Sequence, residues 1–228
     1  MLAKFLGPDM ARWVLGWRSP PGPLKDYYRT DTATEDKPYT QVEMLAVDIE
    51  TTGLDAEKDE IVSIGFVPII NGRIILAEAQ HHLVRPDGKV GDEAAKVHRL
   101  LDDQLQSAAP IADILPLFLA ALRGRFGVAH HALVERGFLS RACRQVWGQK
   151  LEVPFLDTLA LEHRLMTRRN QSIADGALKL ASCRDRYGLP RLRVHDALSD
   201  ALGCAELLLA QAAHCSGKKP AAMRDLLE

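Results

Sequence analysis

The sequence predicts an α/β domain built on a mixed sheet, and three observations carry that expectation. Met44–Val47 is an unbroken apolar run, as in a central strand covered on both faces. Ile61–Ile70 and Arg73–Val84 flank Asn71-Gly72, a two-residue hairpin signal. Beyond them helical and strand-like patterns alternate, as they do when helices flank a sheet.

Taken in order, residues 1–41 stand apart. They carry Pro8, Pro20, Pro21, Pro23 and Pro38 and a polar run, with a short helix predicted over Met10–Trp17 that Pro20-Pro21-Gly22-Pro23 ends. This is read as an N-terminal extension strapped to the domain, with Trp13, Trp17, Tyr27 and Tyr28 as its anchors; partner binding is the alternative use of those rings. The domain proper covers 42–215, and 216–228 is a C-terminal tail. Pro68 near the hairpin turn predicts an edge or bulge. Helices are expected over Ile111–Leu122, Ala132–Val146, Asp157–Leu165 and Ala174–Tyr187, and strands over Phe126–Ala129 and Val153–Leu156. The last helix, Asp196–Ala213, has an apolar stripe at Ala197, Leu198, Ala201, Leu202, Ala205, Leu208, Leu209 and Ala212.

Composition narrows the class. At 47% hydrophobic and 26% charged, the chain has the balance of an ordinary globular protein, neither disordered nor fibrous. The formal net charge is −1, so a globally basic nucleic-acid coat is excluded while a local basic face is not. The four cysteines, at 143, 183, 204 and 215, form no C-x-x-C pair and read as reduced thiols. Lys4, Asp9 and Arg12 interrupt the apolar start of the chain, and no run reaches the 18 or more apolar residues of a membrane span. The expectation is a soluble, cytoplasmic protein.

Three carboxylate-bearing segments point to chemistry. In Asp48-Ile49-Glu50, alternate strand residues share a face, so both acids project together from the end of an apolar strand. Like charges so placed repel, and hard divalent cations take oxygen ligands of this kind. Asp55-Ala56-Glu57 repeats the spacing in a polar loop and is given no function. In the second segment Glu135 shares its stripe with Phe138, Leu139, Ala142, Cys143 and Val146 and therefore faces inward. An inward carboxylate asks for a partner: a metal, or an arginine at the core edge. In the third, His195 precedes the last helix and Asp200 lies in its second turn, with Gly203 on the same side. Gly203 costs about 1 kcal/mol relative to alanine mid-helix, which suggests close approach of a backbone or ligand; Asp196 as a cap and Asp200 as a solvated acid is the plainer alternative.

Together, D-I-E-T-T-G, V-A-H-H-A-x-x-E-R-G-F-L and H-D-A-L-S-D-A, in this order over about residues 43–213, resemble the three motifs of the DEDDh (DnaQ-like) 3′–5′ exonucleases, the family that includes the proofreading subunit of bacterial DNA polymerase III. The resemblance implies an RNase H-like fold, a mixed five-stranded sheet flanked by helices. It implies that Asp48, Glu50 and Asp200, with Glu135, ligate two Mg²⁺ or Mn²⁺ ions about 3.5–4 Å apart. His195 would be the general base, since imidazole titrates near neutrality. Thr51, Thr52 and Gly53 would hold the terminal nucleotide, Leu54 would pack on its base, and His98 and His131 would lie by the cleft. Glu135 stands where the family has aspartate, His131 where it has asparagine, Val134 where it has phenylalanine and Arg99 where it has glycine.

The expected activity is removal of nucleoside 5′-monophosphates from single-stranded 3′ ends, DNA ahead of RNA, in proofreading or DNA repair with a polymerase or repair protein as partner. RNA 3′-end trimming and a catalytically silent nucleic-acid- or polymerase-binding module are the alternatives, the latter kept open by Glu135. Residues 163–193 carry eight Lys or Arg against two acids, Asp175 and Asp185. This reads either as a basic face for a phosphodiester or as a solvated helical face.

Overall fold

The computed structural model describes residues 8–32, 35–87, 105–192 and 196–227. Among them a mixed sheet has five principal strands: β1 (Met44–Thr51), β2 (Ile61–Ile70), β4 (Gln80–Arg85), β6 (Phe126–Ala129) and β7 (Phe155–Asp157). The two-residue strands β3 (Arg73–Ile74) and β5 (Ala109–Pro110) extend it. The order is β5-β4-β2-β1-β6-β7, with β3 paired to β2. β1 pairs antiparallel with β2 and parallel with β6, which places it centrally. The expected α/β class and mixed sheet are thus observed.

The helices are α1 (Pro8–Arg18), α2 (Pro23–Arg29), α3 (Ile111–Leu122), α4 (Leu133–Trp147), α5 (Thr158–Arg168), α6 (Leu180–Arg186), α7 (Ala197–Cys215) and α8 (Met223–Leu227). Side chains alternate across β1, so Leu45, Val47 and Ile49 join one core with Phe118, Leu119 and Phe138 of α3 and α4. Met44 and Ala46 join another with Leu161 of α5 and with Cys204 and Leu208 of α7. This two-sided burial is why β1 reads as continuous apolar sequence.

The hairpin turn forms as expected, with Asn71 and Gly72 both at positive φ, 52° and 67°. The strand expected over Arg73–Val84 is interrupted. It pairs for two residues, leaves through a 3₁₀ turn at Leu76–Glu78 and re-enters as β4. Pro68 lies at that break, between the β4 pairing at Ser63–Phe66 and the β3 pairing at Ile69–Ile70, and its carbonyl accepts from the Ile75 N–H at 2.9 Å. The helix expected over Ala174–Tyr187 is shortened to α6. Gly176, at φ 75°, sits in a turn, and helix begins only after Lys179.

The extension lies on the domain through its tyrosines. Tyr27 and Tyr28 are buried, and their hydroxyls donate to the carbonyls of Glu152 (3.2 Å) and Lys150 (3.0 Å). Trp13 and Trp17 are not anchors: they are 66% and 76% exposed. The reason is helical phase, because Ala11 and Leu15 occupy the buried face of α1. Residues 35–39 bond along 221–224, beside α8.

One close approach positions everything that follows. A Cβ at Gly65 of β2 would collide with the backbone of Ala197 and Leu198. Glycine there lets the first turn of α7 lie directly on the sheet, beside Asp48, the β1 partner of Gly65. Gly65→Ala is therefore expected to destabilise the protein by about 2 kcal/mol or more through backbone displacement, measured by urea unfolding; an unchanged midpoint would show that the helix lifts freely.

Candidate active site

Asp48 and Glu50 leave the same face of β1 near its C-terminal end, as their spacing requires. α7 brings Asp200 to them: one carboxylate oxygen from each of the three acids lies within 4.8 Å of the others. Asp196 caps α7, accepting from the Ser199 N–H at 2.8 Å. Its carboxyl is held below the usual range: burial opposes ionisation, but hydrogen bonds from Ser199 and the charge of His81 outweigh it.

The electrostatics are those of crowded acids. Burial, then the charges of Glu135, Asp200, Glu50 and Asp196, hold Asp48 well above the usual carboxylate range. Burial, Asp200 and Asp196 push Glu50 up to about 7. Glu135 is buried at 3% exposure on the inward stripe of α4, with Phe138, Leu139, Ala142 and Cys143. Burial pushes it up to about 8, its own backbone N–H opposing and Asp157 reinforcing. Among the described residues its Oε2 has no hydrogen-bond partner, and no arginine pairs with it. A set of three converging carboxylates backed by a buried, unsatisfied fourth has the oxygen chemistry of a divalent-cation site. These residues could hold such an ion.

The loop after β1 is tied by Asp59. Its carboxylate accepts from the Asp55 N–H (2.8 Å) and the Thr52 hydroxyl (3.3 Å), and a Cβ at Gly53 would run into it. Thr51 Oγ1 donates to the Gly53 carbonyl at 2.6 Å. Leu54 is left 93% exposed at the loop's tip. Asp55 accepts from the Glu57 N–H at 3.0 Å, which closes the same turn.

His131 sits at φ 77°, exposed, at the start of α4. Asp157 holds it there, accepting from the N–H groups of His131 and Ala132 at 3.0 Å each while also capping α5. Sequence reasoning missed Asp157; its signal was a capping aspartate directly before a helix. It also missed the Ser63–His81 pair (2.8 Å) on β2 and β4, where Ser63 is the cross-strand partner of Glu50 and so shares the acids' face. A Cβ at Gly203 would meet the side chains of Leu192 and Arg184, and the Gly203 carbonyl accepts from Arg184 Nη1 at 2.7 Å.

His195 and His98 lie outside the described residues, as do Arg99 and Arg193. The basic stretch is smaller than its sequence suggests. Arg184 is buried against Glu206 (2.7 Å), Arg186 pairs with Glu162 (2.9 Å), and Arg164 donates to the Asp225 carbonyl (2.8 Å). These three cations fasten helices to one another, which leaves Arg168, Arg169, Lys179 and Arg191 exposed.

No helix among the described residues is long and apolar enough to cross a membrane. Residues 45–208 match the RNase T family model, described as exonuclease. A PolC-type DNA polymerase III of Thermotoga petrophila is 33% identical over 174 residues, 76% of this chain and 12% of that one. The DNA polymerase III epsilon subunit of Treponema pallidum is 28% identical over 176 residues, 77% and 79% of the two chains. Thus the chain spans only about an eighth of the PolC-type relative but most of the epsilon subunit. Among solved structures, exonuclease X in complex with 5′-overhanging duplex DNA is 26% identical with TM-score 0.60, covering 81% of this chain and 99% of that one. Exonuclease I, at 12% identity and TM-score 0.66, shares the fold over 81% of this chain and 42% of its own. With its three acidic segments in order on this sheet, the chain belongs to the RNase T exonuclease family, to which the DnaQ-like enzymes are related.

Proposed function

We propose that the protein is a divalent-metal-dependent 3′–5′ exonuclease that shortens single-stranded nucleic acid, DNA in preference to RNA, releasing nucleoside 5′-monophosphates. The observation that carries this reading is the convergence of Asp48, Glu50 and Asp200 within 4.8 Å, with buried Glu135 close enough for its charge to act on Asp48. A DNA polymerase is the partner that the epsilon-subunit relative suggests; a repair protein is the alternative.

Asp48, Glu50 and Asp200 would hold two Mg²⁺ or Mn²⁺ ions, with Glu135 completing the charge. Such ions, when bound, lower the pKa of water and offset charge on the transferring phosphate. The protein's own groups do the rest. His195, one residue before the Asp196 cap, would accept the proton of the attacking water. The backbone around Thr51, Thr52 and Gly53, fixed by Asp59, would seat the terminal nucleotide, and exposed Leu54 would pack against its base. His131, held at positive φ by Asp157, would border the strand.

The direct test incubates the protein with 5′-labelled single-stranded DNA and matched RNA, in Mn²⁺, Mg²⁺ or EDTA. A metal-dependent ladder shrinking from the 3′ end, faster on DNA, is expected; binding without cleavage would favour the silent module. Asp48→Asn and Asp200→Asn should each lower kcat by more than about 100-fold, beyond the 10–100-fold typical of outer-shell changes. Their metal-free thermal stability should not fall, because each relieves like-charge repulsion.

A pH dependence follows from Glu135. Its folded pKa, about 8, lies above the ordinary value of 4.5, so the native state holds a proton that the unfolded chain releases. Metal-free stability should therefore decline as pH rises from about 4.5 to 8. Glu135→Gln should flatten that decline, and divalent cation should raise the Tm of the wild type more at pH 8 than at pH 5. Parallel pH profiles for wild type and variant in EDTA would show that Glu135 is already ionised and neutralised in the metal-free fold.

A further inference from the structure

Two basic hollows, one along the outer face of α4 and one on the N-terminal extension, adjoin through the Tyr28–Lys150 hydrogen bond. Beside α4 a hollow of about 280 Å³ is lined by Arg136, Arg141, Arg144 and Lys150, with Glu57 the only acid among the described residues. It begins at the loop that carries Thr51–Leu54, since Ala56 lines it and packs beside Gly137. It ends at Lys150, whose carbonyl accepts from Tyr28 Oη at 3.0 Å. Tyr28 also lines a second hollow, about 670 Å³, together with Arg12, Trp13, Trp17, Lys25 and Arg29, where Asp31 is the only described acid. Seven cations against two carboxylates line this route in a chain of net charge −1; of these, Arg12 is tied to Tyr27 and Thr30, and Arg141 to the carbonyls of Ala56 and Asp59.

Its components suit a strand rather than a folded partner. Arg29, Arg136, Arg144 and Lys150 are exposed along it. The Arg144–Glu57 pair is exposed on both sides, with side chains 41% and 71% accessible, so it holds little and can yield to a phosphate. Trp13 and Trp17, one helical turn apart, present two aromatic faces to solvent beside the cations. Cations that track a backbone together with aromatic faces that stack bases are how single strands are held without sequence preference. α4, 15 residues and about 22 Å long, runs from Glu135 near its start toward Lys150 just past its end. A trinucleotide seated at the acids would therefore not reach the tryptophans, whereas a longer strand would.

We propose that this surface is a track for the 5′-ward part of a single-stranded nucleic acid whose 3′ end lies at the acid cluster: phosphates run along α4, and bases stack on Trp13 and Trp17. The proposal rests on the exonuclease reading and adds a second binding region, assembled by the N-terminal extension.

Trp147 is the third tryptophan of the chain and packs against the core. A W147F protein therefore reports on Trp13 and Trp17 alone. In EDTA, oligo(dT) of roughly 30 nucleotides, well above single-strand site sizes, should quench its fluorescence saturably, and a trinucleotide should not. W13A/W17A should raise KM for the long strand by about five-fold or more with kcat unchanged, while kcat/KM for a trinucleotide stays within about two-fold. R144E/K150E should weaken long-strand binding and reduce the slope of log affinity against log salt by about 0.7 for every phosphate that the protein no longer neutralises. Normal long-strand cleavage without quenching would overturn the track and leave the exonuclease reading standing. A change of oligomeric state in W13A/W17A at unchanged strand affinity would assign the tryptophans to self-association instead. Failure to bind or cleave any strand would sink both.

Discussion

Carboxylates brought together in a half-buried site repel one another, and the rest of this structure can be understood as the means of holding them there. Two come from one strand and need no device beyond the two-residue period of β1. The third, Asp200, must arrive from α7, at the far end of the domain sequence. It can do so because Gly65 carries no side chain: the helix's first turn lies against β2, directly beside the acids. The free-energy penalty is visible in Asp48, Glu50 and Glu135, all displaced upward from ordinary carboxylate behaviour, with burial the largest cause in each. Two apolar layers, one on each face of β1, supply the rigidity that sustains it.

Asp157 has a comparable role on the other side of the site. It lies at the end of β7, caps α5, and reaches across to the first two N–H groups before α4. One carboxylate thus fixes the start of the helix that carries Glu135 to the strand next to β6, and holds His131 in a left-handed conformation that few residues other than glycine adopt. Asp59 plays the same part for the loop after β1. In both places a carboxylate is committed to backbone N–H groups, so the loops beside the acids are set by local hydrogen bonds and not by packing alone.

What could be read in the sequence was whatever has a short period or a fixed turn chemistry. The apolar run of β1, the stripe of α4 with Glu135 inside it, and the Asn71-Gly72 turn all follow from spacing, and all stand where they were expected. The departures have a common cause: they depend on partners distant in sequence. Nothing local says that the strand after Gly72 breaks at Leu76, because the break is set by which residues of β2 remain to be paired. Large rings usually bury, which makes the tryptophans of α1 look like anchors, but the phase of that helix, fixed by Ala11 and Leu15, turns them outward. Charge counting overstated the basic stretch at residues 163–193 for the same reason: Arg184 and Arg186 are structural cations, and only the fold reveals Glu206 and Glu162 beside them.

The contrast between two buried glutamates bears on what Glu135 is for. Glu162 on α5 is as buried as Glu135, and its oxygens accept from Arg186 Nε (2.9 Å), Tyr187 Oη (2.9 Å) and Gln211 Nε2 (2.8 Å). That carboxylate is satisfied by the protein itself and belongs to the fold. Glu135 has an oxygen with no donor among the described residues. An orphaned buried oxygen costs on the order of 1–3 kcal/mol, more when charged, and among the described residues an arginine reaches one glutamate and not the other. Glutamate carries its oxygens one methylene farther along this inward direction than the aspartate that the resemblance leads one to expect. An inward oxygen with no donor among the described residues, beside three converging carboxylates, supports a role in binding positive charge that arrives from solution. A purely structural acid would be expected to resemble Glu162.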